Sequence, residues 1–159
     1  MLHGVTVSEC CGLLGRHVVD GELVIEEQYI QRKGKGVRTK ELKRPRRYRR
    51  VPIAPTLLPE LEGLPATHPI IEGRVTKKRK GPHPMERTSL GRAISRAVEG
   101  TKFEGISPHD LRSSGAKWML DAGAKLSDVA AILGNDPRVL LAHYDQPDDG
   151  GKRRAVGVL

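Results

Sequence analysis

The chain has 159 residues, with 28 Lys+Arg against 19 Asp+Glu and a formal charge of +9. That length suits one domain with a buried core and leaves little room for a second. No apolar run approaches the length of a membrane span. The charge excess favours a polyanionic partner, DNA or RNA before an acidic membrane surface, and is silent on chemistry. The N-terminal MLHGVTVSECC lacks the basic start and long apolar run of a secretory signal, so a cytoplasmic protein is expected.

Residues 5–14 (VTVSECCGLL) predict a short helix whose apolar stripe is Val7, Cys10, Cys11 and Leu14, with Gly15 as its end. Residues 17–31 carry an Asp20-Gly21 pair between β-formers, a hairpin pattern that turns Leu23, Ile25 and Tyr29 inward. A third strand is expected at RRVPIAP, with Pro52 marking an edge. Between these strands, eleven of the twenty residues 31–50 are Lys or Arg and only Glu41 is acidic. A charge run is commonly a solvated face, but this density implies self-repulsion that a polyanion would relieve. Further basic clusters stand at 77–80 (KKRK) and 152–154 (KRR).

The remaining pattern is helical. A short helix is expected around Leu57–Leu61, and an amphipathic one over 86–99 with Leu90, Ile94, Ala97 and Val98 on one face. Ser107, Pro108 and Asp110 form a capping-box start for a helix that Gly123 ends. Ser127 is placed as the cap of a helix that Gly134 stops, and Asp136-Pro137 opens a last one through Tyr144. Trp118, Met119 and Ile132 are assigned to the core. The class is α+β, mostly helical, with a small three-stranded antiparallel sheet.

The adjacent Cys10 and Cys11 do not make an ordinary structural disulfide and have no second pair to complete a zinc site. His3 and His17 lack convincing ligand spacing, and no metal is expected. His68, His83 and His143 are given no catalytic part. His109 and Arg112, three apart on a capped helix, project on one face. Alone, that pair is a surface His and Arg.

Their surroundings change its meaning. The string SPHDLRSSGAKWMLDAG…LSDVAAILGNDPRVLLAHY resembles the last third of a tyrosine recombinase of the phage integrase family: H-x-L-R, a helix ending in Gly, a second ending L-G-H, and a tyrosine nine residues on. Upstream, KRPRRYRRVPI resembles the family's K-T-x-x-S-x-R-x-V-P-L, matching Lys43 and Arg49, and GVTVSECCGL resembles G-L-R-x-S-E-x-x-x-L, matching Gly4, Ser8 and Glu9. The resemblance spans about residues 4–146. Each motif is weak alone; four in order are a strong pattern.

The resemblance implies site-specific DNA recombination through a 3′-phosphotyrosine intermediate, without a metal or other cofactor. Tyr144 would be the nucleophile, Arg112 a phosphate clamp, His109 a phosphate ligand or proton carrier, and Lys43 the acid for the leaving 5′-oxygen. The types suit the chemistry: charge grows on the non-bridging oxygens and needs fixed cations and donors, and a phenol of pKa near 10 needs activation. Arg44, Arg46, Arg47, Arg49, Lys77, Lys78 and Arg79 are the expected DNA-contacting residues. Double-stranded DNA is the expected partner, with a homotetramer on paired sites and accessory DNA-bending proteins, in the nucleoid of a bacterial or phage-bearing cell.

Two positions depart from the pattern. Thr6 stands where the first arginine is expected, and Asn135 where the second histidine is expected. Asn135 can still donate to a phosphate oxygen; Thr6 is neutral and short, and Arg16 or a hairpin arginine is the candidate to fill its place. Residues 1–146 are therefore expected to be a recombinase catalytic domain lacking its usual first helices and its separate N-terminal DNA-binding domain, and 147–159 a flexible or exchanged tail. A degenerate, non-catalytic DNA-binding relative and an unrelated basic nucleic-acid-binding protein stay open beside the enzyme.

Overall fold

The structure, a computed structural model, describes residues 3–32, 35–42, 45–77 and 79–144, with side chains through residue 142. Helix α1 (Val7–Gly12) leads through a 3₁₀ turn (Gly15–His17) into β1 (Val18–Val19) and β2 (Glu22–Ile25). Then come β3 (Gln28–Arg32), β4 (Lys35–Thr39), a second 3₁₀ turn (Pro45–Arg47) and β5 (Arg49–Pro52). The helices α2 (Leu58–Leu61), α3 (Arg87–Val98), α4 (Pro108–Asp121), α5 (Leu126–Leu133) and α6 (Pro137–Tyr144) follow.

Asp20 and Gly21 both take positive φ, 51° and 75°, as a tight hairpin turn requires. They fix the β1–β2 register at Val19↔Glu22. Strand β2 then pairs antiparallel with β5, giving the expected three-stranded sheet in the order β1-β2-β5 with the Pro52 strand at its edge. The basic segment between β2 and β5 is not simply a loop. It folds into a second, two-stranded sheet, β3–β4, in register Ile30↔Val37. Tyr29 belongs to that sheet and is half-buried. The density of basic residues hid a short β pattern, Q-Y-I-Q-R and K-G-V-R-T, whose polar and charged positions together outnumber its apolar ones.

Two apolar clusters form the interior. Val5, Cys10, Leu13, Leu23, Ile25, Val51, Ile53 and Leu61 join α1 to the sheet. Ala116, Val129, Ala130, Leu133 and Leu140 join α4, α5 and α6. Ile132 packs against the first cluster while its neighbour Leu133 belongs to the second, so the end of α5 is their seam.

Four expectations change. Helix α1 ends at Gly12, capped by Leu13, and Gly15 opens the following 3₁₀ turn rather than ending the helix. Trp118 is 65% exposed, because it lies two residues, about 200° of helix, beyond the fully buried Ala116; Met119 and Ile132 are half-buried. Ala97 on α3 is exposed. Helix α5 starts at Leu126 after Lys125 rather than at a Ser127 cap, while Gly134 ends it in the left-handed region at φ 62° as expected.

Leu133 is 2% exposed at the seam. Leu133→Ala is expected to lower the unfolding free energy by about 2–5 kcal/mol, and Trp118→Ala by less than about 1, in urea denaturation. Equal losses would contradict this placement of the core.

Candidate active site

The first turn of α4 is fixed by a reciprocal cap. Ser107 donates its backbone N–H to Asp110 Oδ2 (2.8 Å), and Asp110 donates its own to Ser107 Oγ (3.3 Å). This sets the azimuth of His109 and Arg112, which share a face. His109 is exposed, whereas Arg112 is only 6% exposed. Arg112 donates Nη1 to the Gly4 carbonyl, and Nη2 to the Leu133 carbonyl (2.6 Å) and to Asn135 Oδ1 (3.3 Å).

Asn135 is positioned by the end of α5. Gly134 is left-handed, and a Cβ there would lie 2.8 Å from the Arg46 carbonyl oxygen, so glycine is required. The Asn135 N–H then returns to the Ala130 carbonyl (3.0 Å). With Oδ1 accepting from Arg112, Nδ2 is the end of the amide left to donate outward. His109, Arg112, Ser113, Leu133, Asn135, Val139 and Leu140 line one cavity of about 320 Å³. Three of the five expected catalytic residues thus converge. Tyr144 is the last residue of α6, one turn beyond Leu140. Its side chain, and Lys43 altogether, lie outside the described residues.

Thr6 does structural work. It is the N-cap of α1, accepting from the Glu9 N–H (3.3 Å), while its own N–H donates to Glu9 Oε2 (2.7 Å). Glu9 is 2% exposed and receives Arg49 Nη1 and Nη2 at 3.1 Å each, with Arg47 Nη1 3.6 Å away. Burial pushes the Glu9 carboxyl pKa up. The hydrogen bonds and charge of Arg49, the Thr6 N–H and the charge of Arg47 more than offset that, and the net shift is downward. Thr6, Val7, Ser8, Arg87, Pro108 and His109 line a second cavity of about 210 Å³.

The expected DNA-contacting residues divide. Arg49 is a correction: its side chain is 6% exposed and turned inward, because it shares with Val51 the inner face of β5. Arg47 is mostly buried against Glu9 and the Leu133 carbonyl. Arg46 is exposed but pairs with Asp136 (2.8 Å), and Arg79 pairs with Glu86 (3.1 Å). Lys77 is exposed. Arg44 and Lys78 lie outside the described residues. The 31–50 run is also less unbalanced than its composition implies: Arg32, Arg38, Arg46, Arg47, Arg49 and Arg50 each lie within 4 Å of a carboxylate, most of them from other segments.

Arg16 does not fill the Thr6 place, since its guanidinium binds Glu27 Oε2 at 2.7 Å. Arg87 had no sequence cue, because nothing in one sequence links position 6 to a helix that starts eighty residues later.

The cysteines are free and buried. Burial and neighbouring Cys10 push the Cys11 thiol up to about 12, against an opposing pull from Arg87, so it is no ready nucleophile. Among the described residues, His17, Glu26 and Glu27 form the one His/Cys/acid grouping compact enough for a metal. His17 Nδ1 accepts the Leu14 N–H (2.9 Å), so the neutral ring carries its proton on Nε2, 3.7 Å from Glu26 and 3.6 Å from Glu27. That nitrogen offers no lone pair, and Arg16 and Arg38 already bind Glu27. Glu27 is instead the centre of an ion-pair network with Arg16 and Arg38, beside a neutral His17. Burial, then Arg16, lowers the His17 pKa against the opposing pull of the two glutamates.

No family model matches the chain. A curated integrase/recombinase of Sinorhizobium fredii, y4qK, is 32% identical over 63 residues, 39% of this chain and 20% of that protein. The Tn1549 transposon integrase, solved in complex with transposon right-end DNA, superimposes with a TM-score of 0.76 at 16% identity, covering 99% of this chain and 55% of that one. XerA recombinase gives a TM-score of 0.60 at 20% identity, covering 96% and 52%. The chain spans about half the length of these solved structures and a fifth of the curated relative. The fold is that of a tyrosine-recombinase catalytic domain.

The Glu9–Arg49 pair has a testable signature. Removing one partner of a buried pair leaves the other charge uncompensated, so Glu9→Gln is expected to cost about 3–5 kcal/mol at neutral pH. Because the folded pKa of Glu9 is depressed, its contribution is present above the ordinary carboxylate range near 4.3 and is lost as pH falls through the lower folded value. Urea midpoints of wild type and Glu9→Gln should therefore converge in acid. A gap independent of pH would contradict the ion-pair account.

Proposed function

We propose that the chain is the catalytic part of a site-specific recombinase that cleaves and rejoins DNA through Tyr144. One observation carries this: His109 and Arg112 from α4 and Asn135 from beyond α5 meet in a single cavity walled by the helix that ends in Tyr144. Agreement of the fold with integrases solved on DNA supports it.

In this mechanism the Tyr144 phenolic oxygen attacks the scissile phosphorus, the P–O5′ bond breaks, and a 3′-phosphotyrosine forms. The phenol proton passes to His109, the proton carrier of the pattern, and the leaving 5′-oxygen gains one from Lys43. Rejoining reverses these steps, and the covalent link conserves the bond energy, so no nucleotide cofactor enters. Acceleration comes from donors fixed before the charge develops. Arg112 fits that role because backbone carbonyls of Gly4 and Leu133 hold its guanidinium in place. His109, exposed, lines the cavity beside Arg112, and Asn135 supplies Nδ2 where a histidine would donate. Double-stranded DNA is the substrate, and a homotetramer on paired sites the working assembly.

A non-catalytic DNA-binding relative is the second reading. It is favoured by Thr6, which is engaged as a helix cap and has no cation to offer.

A pool of nicked duplexes of randomised sequence, in which the cleaved fragment diffuses away, should trap a covalent protein–DNA adduct on a denaturing gel. The adduct should vanish in Tyr144→Phe, and Asn135→Ala should slow its formation by roughly 10²–10³-fold. DNA bound without any adduct would establish the second reading. An adduct surviving in Tyr144→Phe would place the nucleophile elsewhere.

A further inference from the structure

The missing first arginine leaves a specific gap. His109 lines both cavities: on one side it meets Arg112 and Asn135, on the other Thr6, Ser8 and Arg87. A phosphate beside His109 would therefore have a cation on the α4 side and, at the Thr6 position, only a neutral hydroxyl whose oxygen accepts the Glu9 N–H. Arg87 is the one Lys or Arg lining the second cavity.

Arg87 is well placed to act there. It opens α3, which packs against α1, and it is exposed. Among the described residues its side chain makes no hydrogen bond or ion pair. The acid beside it, Glu86, receives Arg79 at 3.1 Å and Gln31 at 3.1 Å. Asp110, the acid beside His109, accepts from the Ser107 N–H. Glu9 faces Arg49 and Arg47 on the other side of α1's cap. Its long, charged side chain comes from α3 to the cavity that Thr6 lines with only a short, neutral one.

We propose that the cavity of Thr6, Ser8, Arg87 and His109 seats a phosphate of the DNA backbone, with Arg87 supplying from α3 the cation that the tyrosine-recombinase pattern places at position 6. The same phosphate would receive His109 from above and Arg112 from the adjoining cavity. This rests on the recombinase reading for its catalytic consequence, and on DNA binding alone for the seat itself.

The test has two arms. In the first, Arg87→Ala is expected to slow adduct formation on the nicked pool by roughly 10²-fold or more, Arg87→Lys to retain part of the rate, and Arg87→Ala with Thr6→Arg to recover it. An Arg87→Ala rate within about twofold of wild type would overturn the seat. The second arm needs no cleavage. Affinity for an intact mixed-sequence duplex is measured across a salt series, where Arg87→Ala should reduce the slope of log K against log salt by about one, and Thr6→Arg in that background should restore it. An unchanged slope in Arg87→Ala overturns the proposal. If wild type forms no adduct, the recombinase reading fails and the salt slope alone decides the seat. Circular dichroism melts confirm that each variant is folded before either arm is read.

Discussion

The carboxyl end of α5 is the point on which the molecule depends. A helix ends with carbonyl groups that have no partner and carry the negative end of its dipole. Here guanidinium groups from two different parts of the chain meet them. Arg49 Nε reaches the Ile132 carbonyl at 2.6 Å, and Arg112 Nη2 the Leu133 carbonyl at 2.6 Å, with Arg47 Nη1 at 3.4 Å from the latter. Arg49 comes from the sheet and Arg112 from α4, and both also bind the Gly4 carbonyl. The sheet, the N-terminal segment and the helical half are thus tied at one buried place, which is also the seam of the two apolar clusters.

That knot shapes the site. The residues that would hold a phosphate, Arg112 and Asn135, are the same ones that close the end of α5, so preorganisation comes from the fold's own hydrogen bonding. The arrangement needs glycine twice. Gly134 admits the turn that swings Asn135 toward Arg112, and Gly4, at φ 74°, brings its carbonyl between two arginines where a Cβ would meet Leu133 at 2.9 Å.

Much of this was legible in the chain, and what was missed has physical causes. Capping residues are local, so Ser107-Pro108-Asp110, the Asp20-Gly21 turn and the Gly134 stop read correctly from spacing alone. The inward side of β5 was legible in principle: Val51 and Ile53 alternate inward, and the same period carries Arg49 with them. The richness of basic residues around it pointed to the surface instead, because composition cannot show that Glu9, forty positions earlier, is waiting inside. The β3–β4 hairpin was hidden for the same reason. Trp118 went the other way, because an aromatic residue is a good core candidate only if its azimuth faces a partner, and here Ala116 holds that direction. Arg87 depends wholly on how α3 packs beside α1, a long-range fact with no local trace.

The two departures from the recombinase pattern have different physical weights. An arginine at position 6 would place another cation near a buried glutamate, and on charge alone its loss would leave Glu9 uncompensated and the fold weakened. It does not, because Glu9 is already neutralised from β5: Arg49 contacts both of its oxygens, and Arg47 stands behind. Thr6 instead satisfies α1's first turn, which a long cationic side chain would do less well. Threonine at position 6 therefore costs the fold nothing, and on the recombinase reading it removes only a donor directed at the substrate. Asn135 differs, since its amide is part of the closure of α5 through Arg112 and is retained by that contact whatever happens at the phosphate. On the proposed reading, stability and chemistry are separable at position 6 and coupled at position 135, which leaves a replacement cation free to come from another helix.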